Sequence, residues 1–293
     1  MRQKNLPVYN IENFQSPVDE KDFYADYFIS HLRHHKFVEA PHKHDFFLVV
    51  LFTKGSGIHE IDFTSYPIKP GSVFLLSPGQ THGWKLSADI DGYIFFHSRA
   101  FFDINFKSKK VHDFPFFSSS FNSPVIYMKD KSFQKIKKLF LEIISEFKMS
   151  ALMKQAKLCS LTDLLYIELS RLYLQKKETV IQNHLYLSKI KLLEELVDRN
   201  FLKIKSPSDY ADRMNMSEKH LNRICKTCLN KTTGDFISDR IILEAKNLLI
   251  HSTLSVKEVA NKLNYSDSAY FSRLFKKKCG ETPLGFAKKY LKE

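Results

Sequence analysis

The sequence predicts an α+β chain of two domains: a β-barrel backed by a helical segment, then an all-α domain. Three observations predict it. Short apolar runs cut by Gly, Pro and Ser fill the stretch from Phe37 to His97, which is the punctuation of a small sandwich or barrel. From Ser132 the apolar residues switch to helical spacing. In the last third a short helix, a turn and a second helix occur twice, at a nearly constant offset. A length of 293 residues suits two domains.

Residues 1 to about 35 mix Phe and Tyr with charges and carry no clear period. The runs then follow as FFLVVLF, KGSG, IHEIDF, IKPGSVFLLSPGQTH and GYIFFH. Phe46, Phe47, Phe52, Phe63, Phe74, Phe95 and Phe96 are expected in the core, while His59 and Glu60 are expected at the surface of a strand. Pro70-Gly71, six residues, Pro78-Gly79, two residues and His82 resemble the second motif of the cupin fold, and His42-x-His44 resembles the first. The resemblance implies a cupin-like barrel. A metal-binding cupin adds a Glu from the first motif, and that position falls here on Leu48 or Val49. His42, His44 and His82 alone would leave a three-histidine site with an open position. The favoured expectation is no metal and no cofactor, with these three histidines lining a pocket mouth or capping strand ends.

Ser132 to about Gln175 reads as helix. Phe133, Ile136, Lys137, Phe140, Ile143 and Ile144 form one stripe; Leu158, Leu161, Leu164, Leu165 and Leu172 form another. Lys176 to Asn183 is polar and reads as a linker, and His184 to Asn200 as the first helix of the second domain.

The duplicated unit follows. Ser255, Val256, Val259, Ala260, Leu263, Asn264 and Ser266 match Ser206, Pro207, Tyr210, Ala211, Met214, Asn215 and Ser217 at an offset of 49. Past the turn, Phe271, Arg273, Leu274, Lys276, Thr282 and Phe286 match Leu221, Arg223, Ile224, Lys226, Thr232 and Phe236 at an offset of 50. In each first helix the apolar residues fall at i, i+3, i+4, i+7. Ser255 and Glu258 spell a capping box, Ser206-Pro207 a cap and a proline at the first helical position, and Ser217 and Ser266 the caps of the second helices. Leu221, Ile224, Cys225 and Cys228 should face inward, as should Phe271, Leu274 and Phe275. That leaves a basic, amide-bearing outer face on each second helix, the pattern of a DNA recognition helix. Gly234 to Ile250 reads as one helix, roughly 25 Å long at 1.5 Å per residue. Such a spacer can hold two readers about one DNA turn apart.

Residues from about 184 to 293, and most specifically SDSAYFSRLFKKKCGETP, resemble the DNA-binding domain of the AraC/XylS transcription regulators. Departures are Asn264 for a turn glycine, Ala287 for an arginine, and Asn230 and Thr233 for a Gly and a Pro. The resemblance implies base-edge contacts from Lys219, Asn222 and Arg223 and from Ser268, Ala269, Tyr270 and Arg273. His220, Lys226, Ser272, Lys276 and Lys277 complete the DNA-binding set. It also implies a sensor barrel that encloses a small-molecule effector at its mouth, near His42, His44 and His82, and a helical segment that pairs two protomers.

Lys and Arg number 45 against 32 Asp and Glu, a formal +13. From His184 onward 21 basic residues face 13 acidic ones, so the excess gathers where phosphate contact would need it. Cys225-x-x-Cys228 could be a redox or zinc pair; with no second ligand pair nearby, two small apolar residues are the better reading. MRQKNLPVYN is no signal peptide, and Phe46 to Phe52 is too short to span a bilayer. The expected domains are 1–130 (cupin-like sensor), 131–178 (helical dimerisation segment), 179–183 (linker) and 184–293 (double helix-turn-helix). The expected function is a cytoplasmic, sequence-specific transcription activator rather than an enzyme. Double-stranded DNA, RNA polymerase, a small-molecule effector and a second copy of the chain are its expected partners. One rival is a cupin-type metal-dependent enzyme with a basic tail; another is a non-specific nucleic-acid binder.

Overall fold

The computed structural model describes residues 6–14, 21–36, 40–106, 109–117, 123–174 and 184–291. The linker expected at 179–183 lies outside them. The chain divides into two compact units, Pro7–Gln182 and Asn183–Glu293.

The first unit holds β1 (Val8–Tyr9), β2 (Phe23–Tyr27), α1 (Phe28–His34), β3 (Lys43–His44), β4 (Phe47–Lys54), β5 (Gly57–Ile61), β6 (Thr64–Ile68), β7 (Ser72–Leu76), β8 (His82–Leu86), β9 (Asp91–His97), α2 (Arg99–Asn105), β10 (Val125–Tyr127), α3 (Asp130–Lys148) and α4 (Lys154–Leu174). Five strands pair in the order β10-β7-β4-β9-β2, three as β6-β5-β8, and β1 pairs with β3. This is a sheet-rich, cupin-like domain.

The FFLVVLF run is continuous because β4 is buried on both faces. Phe47, Val49 and Leu51 join a core with Ile136, Phe140, Ile143 and Leu165 from the helices. Leu48, Val50 and Phe52 join Phe74, Ile61, Ile68 and Trp84 between the two sheets. The stripe of α3 therefore covers the five-stranded sheet. In α4 the inward residues are Leu158, Leu165, Tyr166 and Leu169, whereas Leu164, expected on the same stripe, is 44% exposed. Phe63 is also misplaced by the sequence reading: it sits half-buried in the β5–β6 turn with φ 63°. β2, in the stretch that looked uninformative, pairs with β9 from Phe23↔His97 to Tyr27↔Tyr93.

The second unit is helical: α5 (His184–Asn200), α6 (Pro207–Arg213), α7 (Glu218–Leu229), α8 (Thr233–His251), α9 (Val256–Lys262), α10 (Ser268–Cys279) and α11 (Pro283–Leu291). The α6–α7 and α9–α10 pairs are the two helix-turn-helix units, and α8 packs against members of both. Their inner faces follow the apolar spacing. Tyr210, Ala211, Leu221, Ile224 and Cys225 are fully buried in one; Val259, Ala260, Phe271 and Phe275 in the other. Cys228 and Leu274 are only half-buried. Asn215 and Asn264 turn the chain at φ 52° and 60°, and Asn230 ends α7 at φ 54°. Asn tolerates the left-handed region, so it serves where glycine would otherwise stand.

The caps divide. Ser255 Oγ accepts from Glu258 N–H at 3.3 Å while Glu258 accepts from Ser255 N–H at 2.7 Å, the reciprocal box. Ser217 caps α7 through His220 N–H. Ser206 is at the N-cap of α6, but its hydroxyl bonds Ser208 instead of the backbone. Ser266 caps nothing: the extra turn residue moves the N-cap of α10 to Asp267, whose carboxylate accepts from Ala269 N–H at 2.7 Å. Ser217→Ala should cost about 1 kcal/mol, read as a lower midpoint in denaturant unfolding of the helical unit.

Candidate nucleic-acid interface and the barrel histidines

The two second helices present their polar faces outward. On α7, Lys219, Arg223 and Lys226 are exposed. His220 is half-buried with its ring 6.1 Å from Tyr186. The Asn222 carboxamide oxygen accepts from Thr233 N–H at 3.1 Å, at the start of α8, so only its NH2 is left to point outward. On α10, Ala269, Tyr270, Arg273, Lys276 and Lys277 are exposed and Ser268 half-buried. Ser272 returns its hydroxyl to Ser268 O on its own helix. Arg273 stands 3.7 Å from the Asp267 carboxylate with 70% of its side chain exposed. At that exposure the pair is weak and screened, so it holds the guanidinium only loosely.

Polar clasps hold these helices. Lys278 reaches Asp235 at 2.7 Å and Asp239 at 3.0 Å, tying α10 to α8. Lys205, ahead of α6, donates to Asn264 O and lies 3.5 Å from the Tyr265 ring centroid, joining the first helix-turn-helix to the turn of the second. Arg240 on α8 donates to Asp198 on α5 at 2.7 Å. Cys225 is buried on the α7 core face, so the CxxC contributes packing there.

In the barrel, the three histidines singled out by motif converge. His42 and His82 share a backbone bridge and their rings are 4.4 Å apart; His44 and His82 are 5.0 Å apart. A fourth histidine, His59, belongs with them, which corrects its expected surface position. It is fully buried, and its Nε2 is 3.0 Å from His82 Nδ1. Ile58 points out and Ile61 in, so His59 shares the inward face with Ile61; because these two apolar residues fall on opposite faces of the strand, alternation in the sequence left the inward face open. The β5–β8 register then sets His59 opposite Trp84 and Ile61 opposite His82.

These rings are neutral. Burial pushes His44 and His59 down to about 3 and His82 well below its ordinary value; His42 is lowered for the same reason. A neutral imidazole next to a carbonyl must donate to it. His42 Nδ1–H thus donates to Ala40 O at 2.8 Å, and His44 Nδ1–H to Phe46 O at 2.7 Å. His44 Nε2, His59 Nδ1, Thr81 Oγ1, His82 Nε2 and Trp84 Nε1 are buried without a hydrogen-bond partner among the described residues. Of the two positions where the first-motif carboxylate would fall, Leu48 lies in the core between the sheets and Val49 in the core against the helices.

Residues 24–102 match the AraC-like ligand binding domain, and residues 210–289 match a helix-turn-helix domain. Together the two matches span most of the barrel and both helix-turn-helix units. The chain belongs to the AraC family of transcriptional regulators. It is similar to the HTH-type transcriptional activator RhaR of Mannheimia succiniciproducens, 22% identical over 89% of this chain and 91% of that one. It is likewise similar to the HTH-type transcriptional regulator YfiF of Bacillus subtilis, 23% identical over 93% and 86%. Among solved structures it resembles ToxT from Vibrio cholerae, with 14% identity, a TM-score of 0.43, and 91% and 98% of the two chains covered. Family membership points to a DNA-binding AraC-type regulator with a ligand-binding domain rather than to an enzyme. No helix among the described residues is long and apolar enough to cross a membrane.

Proposed function

We propose that this AraC-type protein is a sequence-specific activator that grips two successive major grooves through α7 and α10. One observation carries the reading. Arg223 and Arg273 occupy equivalent positions of the duplicated unit, and both are exposed on helices whose opposite faces are fully buried. Lys219 and Asn222 flank the first arginine; Ser268, Ala269 and Tyr270 precede the second at the helix end that enters a groove. Lys226, Lys276 and Lys277, all exposed, take the surrounding phosphates; Ser272 gives its hydroxyl proton to Ser268 O and the Nε2 of His220 is buried, so these two support the helices beneath the DNA. The activator sense follows that of RhaR, with RNA polymerase as the partner. In this reading a small molecule enters the barrel near His42, His44 and His82 and governs DNA binding in the cytoplasm. Two copies pair through the 131–178 segment, where Leu164 is exposed.

Selection of bound fragments from a random DNA library tests this. The expected outcome is an enriched site with two elements about 10 base pairs apart. Retention of DNA without any enriched sequence would leave only a non-specific binder.

A further inference from the structure

We propose that Lys205 and Lys278 are positioning residues of the DNA interface, an inference that rests on the reading of α7 and α10 as paired groove readers. They grip α10 at its two ends, refer it to the first helix-turn-helix, and so set the spacing of DNA elements that the chain accepts. At the C-terminal end of α10, Lys278 donates to Asp239 at 3.0 Å and to Asp235 at 2.7 Å. Asp239 also takes Lys231 at 2.8 Å, from the turn that follows α7. One carboxylate on α8 is therefore shared by a lysine beside each reader. Asp235 accepts in addition from the Thr232 hydroxyl at 2.6 Å. The hydrogen bond from Lys278, and after it that from Thr232, hold the Asp235 carboxyl down at about 2, so the network stays charged. Two lysines balance two carboxylates, and the Lys278 and Asp239 side chains are only 18% and 21% exposed. A shielded network with several contacts holds geometry better than an isolated surface pair.

At the other end, Lys205 stands ahead of α6 and donates to Asn264 O, in the turn before α10. Its ammonium lies 3.5 Å from the centroid of Tyr265. That ring lies 6.0 Å from Tyr270 and 5.6 Å from Phe271, both in the first turn of α10. The end that Lys205 secures thus carries Ser268, Ala269 and Tyr270, the residues read above as entering the groove. From Ser268 to Lys278 the helix runs about 15 Å at 1.5 Å per residue. Held at one end only, a swing of about 13° carries the other end about 3.4 Å, which is one base-pair step. Held at both ends, it cannot swing. Burial of Phe271 and Phe275 does not replace these grips. Apolar burial is non-directional, whereas an ammonium bonded to a particular carbonyl or carboxylate fixes direction.

The test uses the full-length chain with Lys205→Met, Lys278→Met and both together, and Lys205→Arg and Lys278→Arg as conservative variants. The probes are the selected site, the same site with one base pair added or removed between its elements, and each element beside scrambled sequence. The unaltered chain should lose roughly 5–150-fold on a shifted spacing, the worth of one arginine–base pair. The double methionine variant should bind all the spacings alike, while its binding to single-element duplexes stays that of the unaltered chain. Each arginine variant should keep the preference. A preference retained in the double variant overturns the proposal, and so does an unaltered chain that takes every spacing equally. Equal loss on single-element duplexes also overturns it, since that marks a merely structural role. Should the double variant fail to fold, the single variants decide, each expected to relax the preference partway. If the unaltered chain enriches no site at all, the regulator reading fails, and a measurement without DNA still judges the grips. Nitroxides are attached to encoded keto residues in place of Thr227 on α7 and Lys277 on α10, both exposed. Their distance distribution should be narrow in the otherwise unaltered chain and broaden with Lys205→Met or Lys278→Met; an unchanged width overturns the proposal.

Discussion

Lowering the pH from 7.5 to 5 is expected to unfold the barrel while the helical unit stays folded. Burial holds His31, His44 and His59 at about 3 and His97 at about 4, with His82 well below its ordinary value. In the unfolded chain the same imidazoles take up protons near 6.5. The native rings bind fewer protons than the unfolded ones throughout the interval between, so stability falls as pH falls. It is complete above about 6.5 and is lost progressively as pH falls toward about 4 for His97 and about 3 for His31, His44 and His59. Each such ring costs about 1.4 kcal/mol per pH unit below 6.5, or roughly 2 kcal/mol at pH 5. Five rings together reach the order of a whole domain's 5–15 kcal/mol. Three further titratable groups belong to the account: His35 is itself lowered by burial, and Asp26 and Asp103 pull His31 and His97 upward. Trp84 is the sole tryptophan and lies in the barrel core, so its emission reports this unit alone. A red shift between pH 6 and 4.5 is the expected result; an unchanged spectrum at pH 4.5 would mean that the folded rings take up protons near their ordinary value, with acceptors at hand for the added N–H.

The second large effect concerns the paired arginines. Arg223→Ala and Arg273→Ala should each weaken binding to the selected site by about 1–3 kcal/mol, a factor of roughly 5 to 150. Lying on separate helices, they should add, so the double variant loses about 2–6 kcal/mol. Binding to unrelated DNA should drop little, since each change removes one charge from a surface that keeps Lys219, Lys226, Lys276 and Lys277 exposed. Mobility shifts with the selected site and a scrambled duplex, at two salt concentrations, measure both quantities. Equal losses on both duplexes would reassign the arginines to phosphate. Asn222 gives a sharper contrast. Its carboxamide oxygen is engaged by Thr233 N–H, so its removal also frees the start of α8.

Much of the helical unit was legible because its signals are local. Apolar spacing, a capping box and turn asparagines all act within one or two turns of helix. Where local chemistry was ambiguous, the reading slipped by one residue: both Ser266 and Asp267 can cap, and the longer turn favours Asp267. In the barrel the strands were legible but their partners were not. His59 read as a surface residue because its burial depends on β8 lying beside β5. Leu164 read as core because Leu periodicity alone cannot say which side of a helix meets the sheet; Tyr166 and Leu169 occupy that side instead.

Local sequence by itself determined the duplicated helix-turn-helix units, their exposed arginines, the strand-rich first half and the meeting of His42, His44 and His82 through the motifs that carry them. Only tertiary structure decided that His59 joins them, which ring nitrogens are bonded and which are bare, and that α3 and α4 blanket the five-stranded sheet. The division has one cause. Helix caps and turns are settled by neighbours in the chain, whereas a strand's inner face and a buried ring's tautomer are settled by partners brought from far along the sequence.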